Sequence, residues 1–153
     1  MNSMARALPN PIALVAPCLL LCIAAYAETL DVPADFATIQ DAIDAASDGD
    51  VIEIAAGTYN EFDLSPQQKA ITLRGATDTE GRPATTIDSL GQGTTVMSFN
   101  GEGADTVIEH LVFTGASDSN WAAVTMFHAR PTVNNCTFRD NSTGGIGGGA
   151  RFL

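Results

Sequence analysis

Short alternating segments recur along this chain, and their surroundings recur with them. Thr95-Val96-Met97-Ser98-Phe99 aligns with Ala123-Val124-Thr125-Met126-Phe127, and Val107-Ile108-Glu109-His110-Leu111-Val112-Phe113 aligns with Thr132-Val133-Asn134-Asn135-Cys136-Thr137-Phe138. The phenylalanines mark the interval: Phe99, Phe127 and Phe152 are 28 and 25 residues apart, and Phe113 and Phe138 are 25 apart. Alternation puts Ile108 and Val133 on one face of a strand and Glu109 and Asn134 on the other, the pattern of a sheet with one buried face. Self-similarity at this period marks a repeat architecture.

A pair of short strands has nothing above or below it to pack against, so successive copies must stack. Coiling the chain with equivalent strands in parallel register, about 4.8 Å apart, hydrogen-bonds each turn to the next and piles Phe99 over Phe127 over Phe152. The predicted fold is all-β, a right-handed parallel β-helix solenoid of roughly four to five turns over residues 51–153. Val51-Ile52-Glu53-Ile54, Ile71-Thr72-Leu73-Arg74 and Thr85-Thr86-Ile87-Asp88 supply its earlier strands.

Residues 28–50 follow a different period, that of a strand and one helix. Phe36, Ile39, Ile43 and Ala46 recur at helical spacing, Thr38 with Asp41 three residues later forms an N-terminal cap, and Gly49 is placed to stop the helix. This N-terminal capping α-helix is expected to cover the open apolar end of the first turn. At the other end, Phe152 and Leu153 fall inside the next strand of the repeat, so the chain reads as the front portion of a longer product, truncated at its C-terminal end.

Residues 1–27 belong to neither pattern. Arg6, the apolar run from Ile12 to Ala25 and the terminal Ala25-Tyr26-Ala27 before Glu28 read as a secretory signal peptide. Pro9, Pro11 and Pro17 interrupt a stretch already short for a spanning helix of about 20 residues, so no membrane span is expected in the mature chain. The expected location is secreted, extracellular or cell envelope. Cys18 and Cys22 leave with the leader, and Cys136 alone cannot form an internal disulfide. It reads as a buried structural thiol within a strand. Eighteen acids against seven bases give a formal net charge of −11, which repels phosphate polyanions and excludes nucleic acid as a partner.

Three stretches together carry a family resemblance: Phe36-Ala37-Thr38-Ile39-Gln40-Asp41-Ala42-Ile43, Asp48-Gly49-Asp50-Val51-Ile52-Glu53-Ile54 and Ala55-Ala56-Gly57-Thr58-Tyr59-Asn60-Glu61. They resemble the opening of the pectin-lyase-like right-handed parallel β-helix superfamily, including the Gly57-x-Tyr59-x-Glu61 element also found near the start of pectin methylesterases. Phe138-Arg139-Asp140-Asn141 with Gly148-Gly149-Ala150 is similar to the paired motifs of outer-membrane β-helix adhesins. The resemblance implies export and a carbohydrate or surface role, shared among lyases, hydrolases, esterases and adhesins, and it does not choose among them. The Asp-Phe-Ile-Phe-Gly motif of the esterases is absent, as are the Asn-Thr-Asp, Asp-Asp and Gly-His-Gly motifs of polygalacturonases.

A β-elimination lyase needs a cation, usually Ca²⁺ or Arg, on the uronate carboxylate and a base for the C5 proton. Lys69, Arg74, Arg130 and Arg139 are the available basic groups; they fall on different turns with no column of acids at Ca²⁺-ligand spacing to accompany them, and read as solvated surface charge. Asp48-Gly49-Asp50 lacks the remaining ligands of a calcium loop, and Gly144 to Gly149 lacks the Lys-Ser or Lys-Thr of a phosphate cradle. His110 and His128 are 18 apart at non-equivalent repeat positions, so no metal or cofactor is expected, Ca²⁺ entering only with a lyase. Asn135-Cys136-Thr137 and Asn141-Ser142-Thr143 fit the glycosylation pattern and read as corner asparagines. Trp121, ending the polar stretch Ser117-Asp118-Ser119-Asn120, is the aromatic candidate for stacking on a sugar, with Arg130 and Arg139 as polar contacts. The expected function is a noncatalytic secreted or cell-surface module that binds glycans or acts as a scaffold or adhesin. The alternative is the N-terminal part of a polysaccharide lyase whose catalytic residues lie beyond this chain.

Overall fold

In a computed structural model the described residues are 26–92, 95–117, 122–142, 144 and 148–153. Almost all of the leader expected over residues 1–27 lies outside them. The chain winds in successive coils. The first holds β1 (Thr29–Val32) and α1 (Ile39–Ala45), and the second β2 (Val51–Ile54) and β3 (Gly57–Tyr59). The third holds β4 (Thr72–Gly75), β5 (Thr85–Asp88) and β6 (Met97–Asn100), the fourth β7 (Val107–Glu109), β8 (Leu111–Thr114) and β9 (Val124–Phe127), and the last β10 (Thr132–Asn134), β11 (Thr137–Phe138) and β12 (Ala150–Phe152).

Equivalent strands stack into three parallel sheets. Sheet A runs β1-β2-β4-β7-β10, sheet B β3-β5-β8-β11 and sheet C β6-β9-β12, with Leu64 bridging to Met97 to give the second coil its third side. The fold is thus a parallel β-solenoid. Period-two alternation in sheet A turns Leu30, Ile52, Leu73 and Ile108 into one inward column, and the register places each beside the next. Ile87 and Phe113 line the inside of sheet B, and Met97, Phe99, Val124 and Met126 that of sheet C. Each fully buried side chain of this size contributes about 1.5–3 kcal/mol of transfer free energy, so the stacked columns are the core.

The 25-residue repeat holds residue for residue. Val133 pairs with Ile108, Asn134 with Glu109 and Phe138 with Phe113, whose rings stack at 5.3 Å and 15°. The 28-residue alignment does not hold. The interval between β6 and β9 is 27, so Phe99 opposes Met126, Phe152 opposes Met126 from the other side, and Phe127 opposes Asn100. A one-residue slip exchanges the two faces of a strand, and Val124 with Met126 makes the better buried pair. The apolar pile in sheet C is therefore Phe99, Met126 and Phe152, with Phe152 72% exposed on the outermost coil.

In the first coil a helix stands where two strands would otherwise follow β1. Thr38 caps it, its Oγ1 accepting from the Asp41 N–H at 3.1 Å, and Ile39, Ala42 and Ile43 are buried in the core. The helix stops at Ala46, which turns extended while its N–H still reaches the Ala42 carbonyl, before the expected Gly49. Gly49 instead uses its positive φ of 95° in the turn that follows, where its N–H donates to the Ala70 carbonyl of the third coil. Coil spacing also constrains Gly75, because a Cβ there would lie 2.2 Å from the His110 carbonyl oxygen. Among the described residues, no helix is long and apolar enough to cross a membrane.

The corrected register predicts unequal costs for two phenylalanines. Phe99→Ala should lose about 3–5 kcal/mol of unfolding free energy and Phe127→Ala less than half of that, measured by denaturant titration. Equal losses would restore the 28-residue register.

Candidate functional site

On the outer face of sheet A, register assembles what the sequence scatters. Asp31, Glu53, Arg74, Glu109 and Asn134 are consecutive Cα partners across β1, β2, β4, β7 and β10 and form one polar column. Beside it runs a second outward column of Thr29, Val51, Thr72, Val107 and Thr132. Arg74 lies between two acids, with Nη1 2.8 Å from Glu53 Oε1 and Nε 2.5 Å from Glu109 Oε1. The hydrogen bonds to Glu109 and then Glu53 push the guanidinium pKa further up, so Arg74 is a fixed cation. The group is substantially exposed, so solvent screening keeps its stability contribution to the order of 1 kcal/mol or less.

Arg74, read from the sequence as solvated surface charge, is a partly exposed guanidinium ion-paired to an acid on either side. The intervals between the column's members, 22, 21, 35 and 25 residues, follow no single period and hide the alignment. A local signal was present nonetheless. Each member follows an inward apolar residue, in Leu30-Asp31, Ile52-Glu53, Leu73-Arg74, Ile108-Glu109 and Val133-Asn134.

The residues that carry the family resemblance fasten the first coils together. Glu61 accepts from the Ile39 and Gln40 N–H groups at 2.8 and 3.2 Å, satisfying free donors in the first turn of α1. The Tyr59 hydroxyl lies 3.3 Å from the Val32 carbonyl and 3.2 Å from that of Ala55; burial, then the Glu61 charge, raises its pKa. Lys69, expected as solvated charge, donates from Nζ to the Ile43 and Asp44 carbonyls at 2.7 and 2.9 Å, at the C-terminal end of the same helix. In the Asp48-Gly49-Asp50 turn, Asp48 Oδ1 accepts from the Ala70 N–H at 2.9 Å. Asp50 is buried and accepts from the Glu28 and Ser47 N–H groups at 2.8 and 2.7 Å, and these bonds, in that order, lower its pKa.

The other candidates are dispersed. Trp121 lies outside the described residues. Arg130 is exposed at the corner between β9 and β10, where its N–H donates to the Glu102 carbonyl at 2.8 Å. Arg139 is exposed just after β11, with Nη1 3.4 Å from Asp140 Oδ2. The fold does not bring Arg130 and Arg139 to one corner. His110 and Asn135 occupy equivalent corner positions, with φ of 58° and 45°, and the His110 N–H donates to the Asn134 carbonyl. His128, φ 47°, lies at a different corner. Asn141 braces two coils, its Oδ1 accepting from the Ala116 N–H and its Nδ2 donating to the Phe113 carbonyl, each at 3.0 Å. Cys136 is half-buried with its thiol 3.3 Å from the Asn134 carbonyl, and burial pushes its pKa up, away from a reactive thiolate. Among the described residues, no group of three or more His, Cys, Asp and Glu is placed to hold a metal ion.

The polar column ends beside a cleft of about 260 Å³ at the edge of the first three coils, floored by Val32, Pro33, Ala34, Ile54, Ala55 and Ala76, with Asp31 and Glu53 on its rim. Its volume is below the roughly 300–1,000 Å³ of a small-molecule pocket. Comparison of the chain with protein-family models, with curated proteins and with solved structures returned no match.

Asp50 gives this region a pH signature. Its pKa is lowered on folding, so its contribution is fully present above the unfolded value, about 3.9, and is lost as pH falls through the folded value. Asp50→Ala, which removes the acceptor of the partly buried Glu28 and Ser47 N–H groups, should cost about 1 kcal/mol at pH 7. The difference from the unaltered chain should narrow below about pH 4. Thermal melts between pH 7 and 2.5 check this, and a pH-independent difference would contradict it.

Proposed function

We propose that this chain is a noncatalytic recognition and scaffold module acting outside the cytoplasm, which holds a glycan along the outer face of sheet A. The supporting observation is the face itself. Five in-register strands present two parallel columns of side chains, a regular linear surface suited to an extended polymer rather than a compact substrate. Thr29 and Thr72 in one column and Asn134 in the other carry neutral donors and acceptors suited to sugar hydroxyls. The net charge of −11 favours a neutral glycan, or an anionic one bridged by Ca²⁺, over direct capture of a polyanion.

The disposition of cations supports the same reading. Arg74 is held by Glu53 and Glu109, Lys69 by the end of α1 and Arg82 by Asp78 and Glu80, while Arg130 and Arg139 stand at separate corners. A lyase face needs a cation aimed at the uronate carboxylate, and these are committed or dispersed. Export follows from the leader-like residues 1–27, and kinship with pectin-lyase-like proteins from the opening signature; both belong to this proposal.

The test is binding and turnover on one polymer panel. The chain should retain neutral glycans on an array and develop no unsaturated-uronate absorbance with pectate, alginate or chondroitin. Thr72→Ala with Asn134→Ala should weaken retention about fivefold, the loss of roughly 1 kcal/mol of hydrogen bonding. Growth of that absorbance, or retention indifferent to these substitutions, would overturn the proposal.

A further inference from the structure

The cleft beside the polar column poses a separate question of occupancy, one that does not depend on the glycan reading. Its floor is apolar, contributed by Val32, Pro33 and Ala34 of the first coil, Ile54 and Ala55 of the second and Ala76 of the third. Its rim carries Asp31 and Glu53, which are direct Cα partners across β1 and β2. Like charges directly opposite one another on adjacent strands are destabilising. Along the rest of the column the charges alternate, because Arg74 stands between Glu53 and Glu109. The alternation fails only between Asp31 and Glu53. Among the described residues the Asp31 carboxylate has no hydrogen-bond or ion-pair partner, and Asp35 adds further negative charge beside it, its Oδ2 accepting from the Asp31 N–H at 3.1 Å.

We propose that this cleft takes one arginine or lysine side chain from a basic segment of a partner protein, the cationic head lying between Asp31 and Glu53 and the methylene stem on the alanine and proline floor. Charge complementarity selects this occupant. An anion is repelled by the rim. A wholly apolar group would strip water from the unpartnered Asp31 carboxylate, and from the part of Glu53 not bound to Arg74, and return nothing to them. A calcium ion needs six to eight oxygen ligands, whereas this lining is mostly apolar and no metal-holding group of side chains occurs among the described residues. Arginine and lysine combine an apolar stem with a charged head, and a volume of about 260 Å³ suits one side chain better than a whole small molecule.

The probe is a nonapeptide of glycine and serine with a single central arginine, titrated into the isotopically labelled full chain and followed by amide chemical shifts. Shifts should concentrate at Ala34, Ala55 and Ala76. Replacing the arginine by its neutral isostere citrulline should abolish them, and Asp31→Asn should weaken binding about tenfold. Asp31→Glu, which keeps the charge, should retain binding and separates loss of charge from loss of fold. Absence of saturable shifts, equal binding of the citrulline peptide, or Ca²⁺ alone reproducing the same shifts at lower concentration would overturn the proposal.

Discussion

Successive coils hydrogen-bond in parallel and in register, and this pairing sets where every other side chain of the solenoid falls. Once Ile52 is paired with Leu73 and Leu73 with Ile108, every neighbouring position is paired as well, and each strand position becomes a column running the length of the solenoid. Inward columns make the core, because no single coil encloses enough apolar surface to exclude water. Outward columns have no such duty. They align whatever the chain places there, about 4.8 Å apart, and the face of sheet A is therefore both a consequence of folding and the main candidate for function.

The first coil departs from this rule and is held by other means. A helix offers the next coil no strand to pair with, and its first N–H and last C=O groups need partners. Charged side chains from later coils supply them, Glu61 at the N-terminal end of α1 and Lys69 at its C-terminal end, while Asp50 ties Glu28, before β1, to Ser47, after the helix. Carboxylates at the positive end of a helix and an ammonium at the negative end are also favourable electrostatically. The motif that resembles the opening of a family of carbohydrate-active proteins thus works here as a fastening between coils. Its presence speaks for a solenoid that must close its first turn, and by itself it identifies no reaction.

How far the sequence revealed this structure depended on whether local signals agreed with long-range register. The 25-residue match of residues 107–113 with 132–138 was legible because strand, corner and strand recur together without insertion, down to His110 and Asn135 at the same positive-φ corner. The match of Phe99 with Phe127 misled because large aromatics dominate an alignment, whereas pairing is decided by which residues fill the inward positions, and Met126 fills one as well as phenylalanine does. The charged column was missed because the hairpin-like excursion of residues 76–84 and other corner insertions make the coil length irregular. Backbone pairing skips such insertions; counting residues does not. Glu61 and Lys69 were illegible for a simpler reason: their partners are backbone groups more than twenty residues away, which carry no sequence signature.

Parallel stacking fixes which methyl groups are neighbours inside sheet A. In protein labelled at isoleucine, leucine and valine methyls, through-space NMR contacts should link Ile52 with Leu73, Leu73 with Ile108 and Ile108 with Val133, each pair one strand step apart. Direct contact between Ile52 and Ile108, two steps or about 9.6 Å apart, should be absent. A contact network that reverses direction from one strand to the next, or joins Ile52 to Ile108 while omitting Leu73, would contradict the stacked parallel solenoid and every functional assignment resting on its columns.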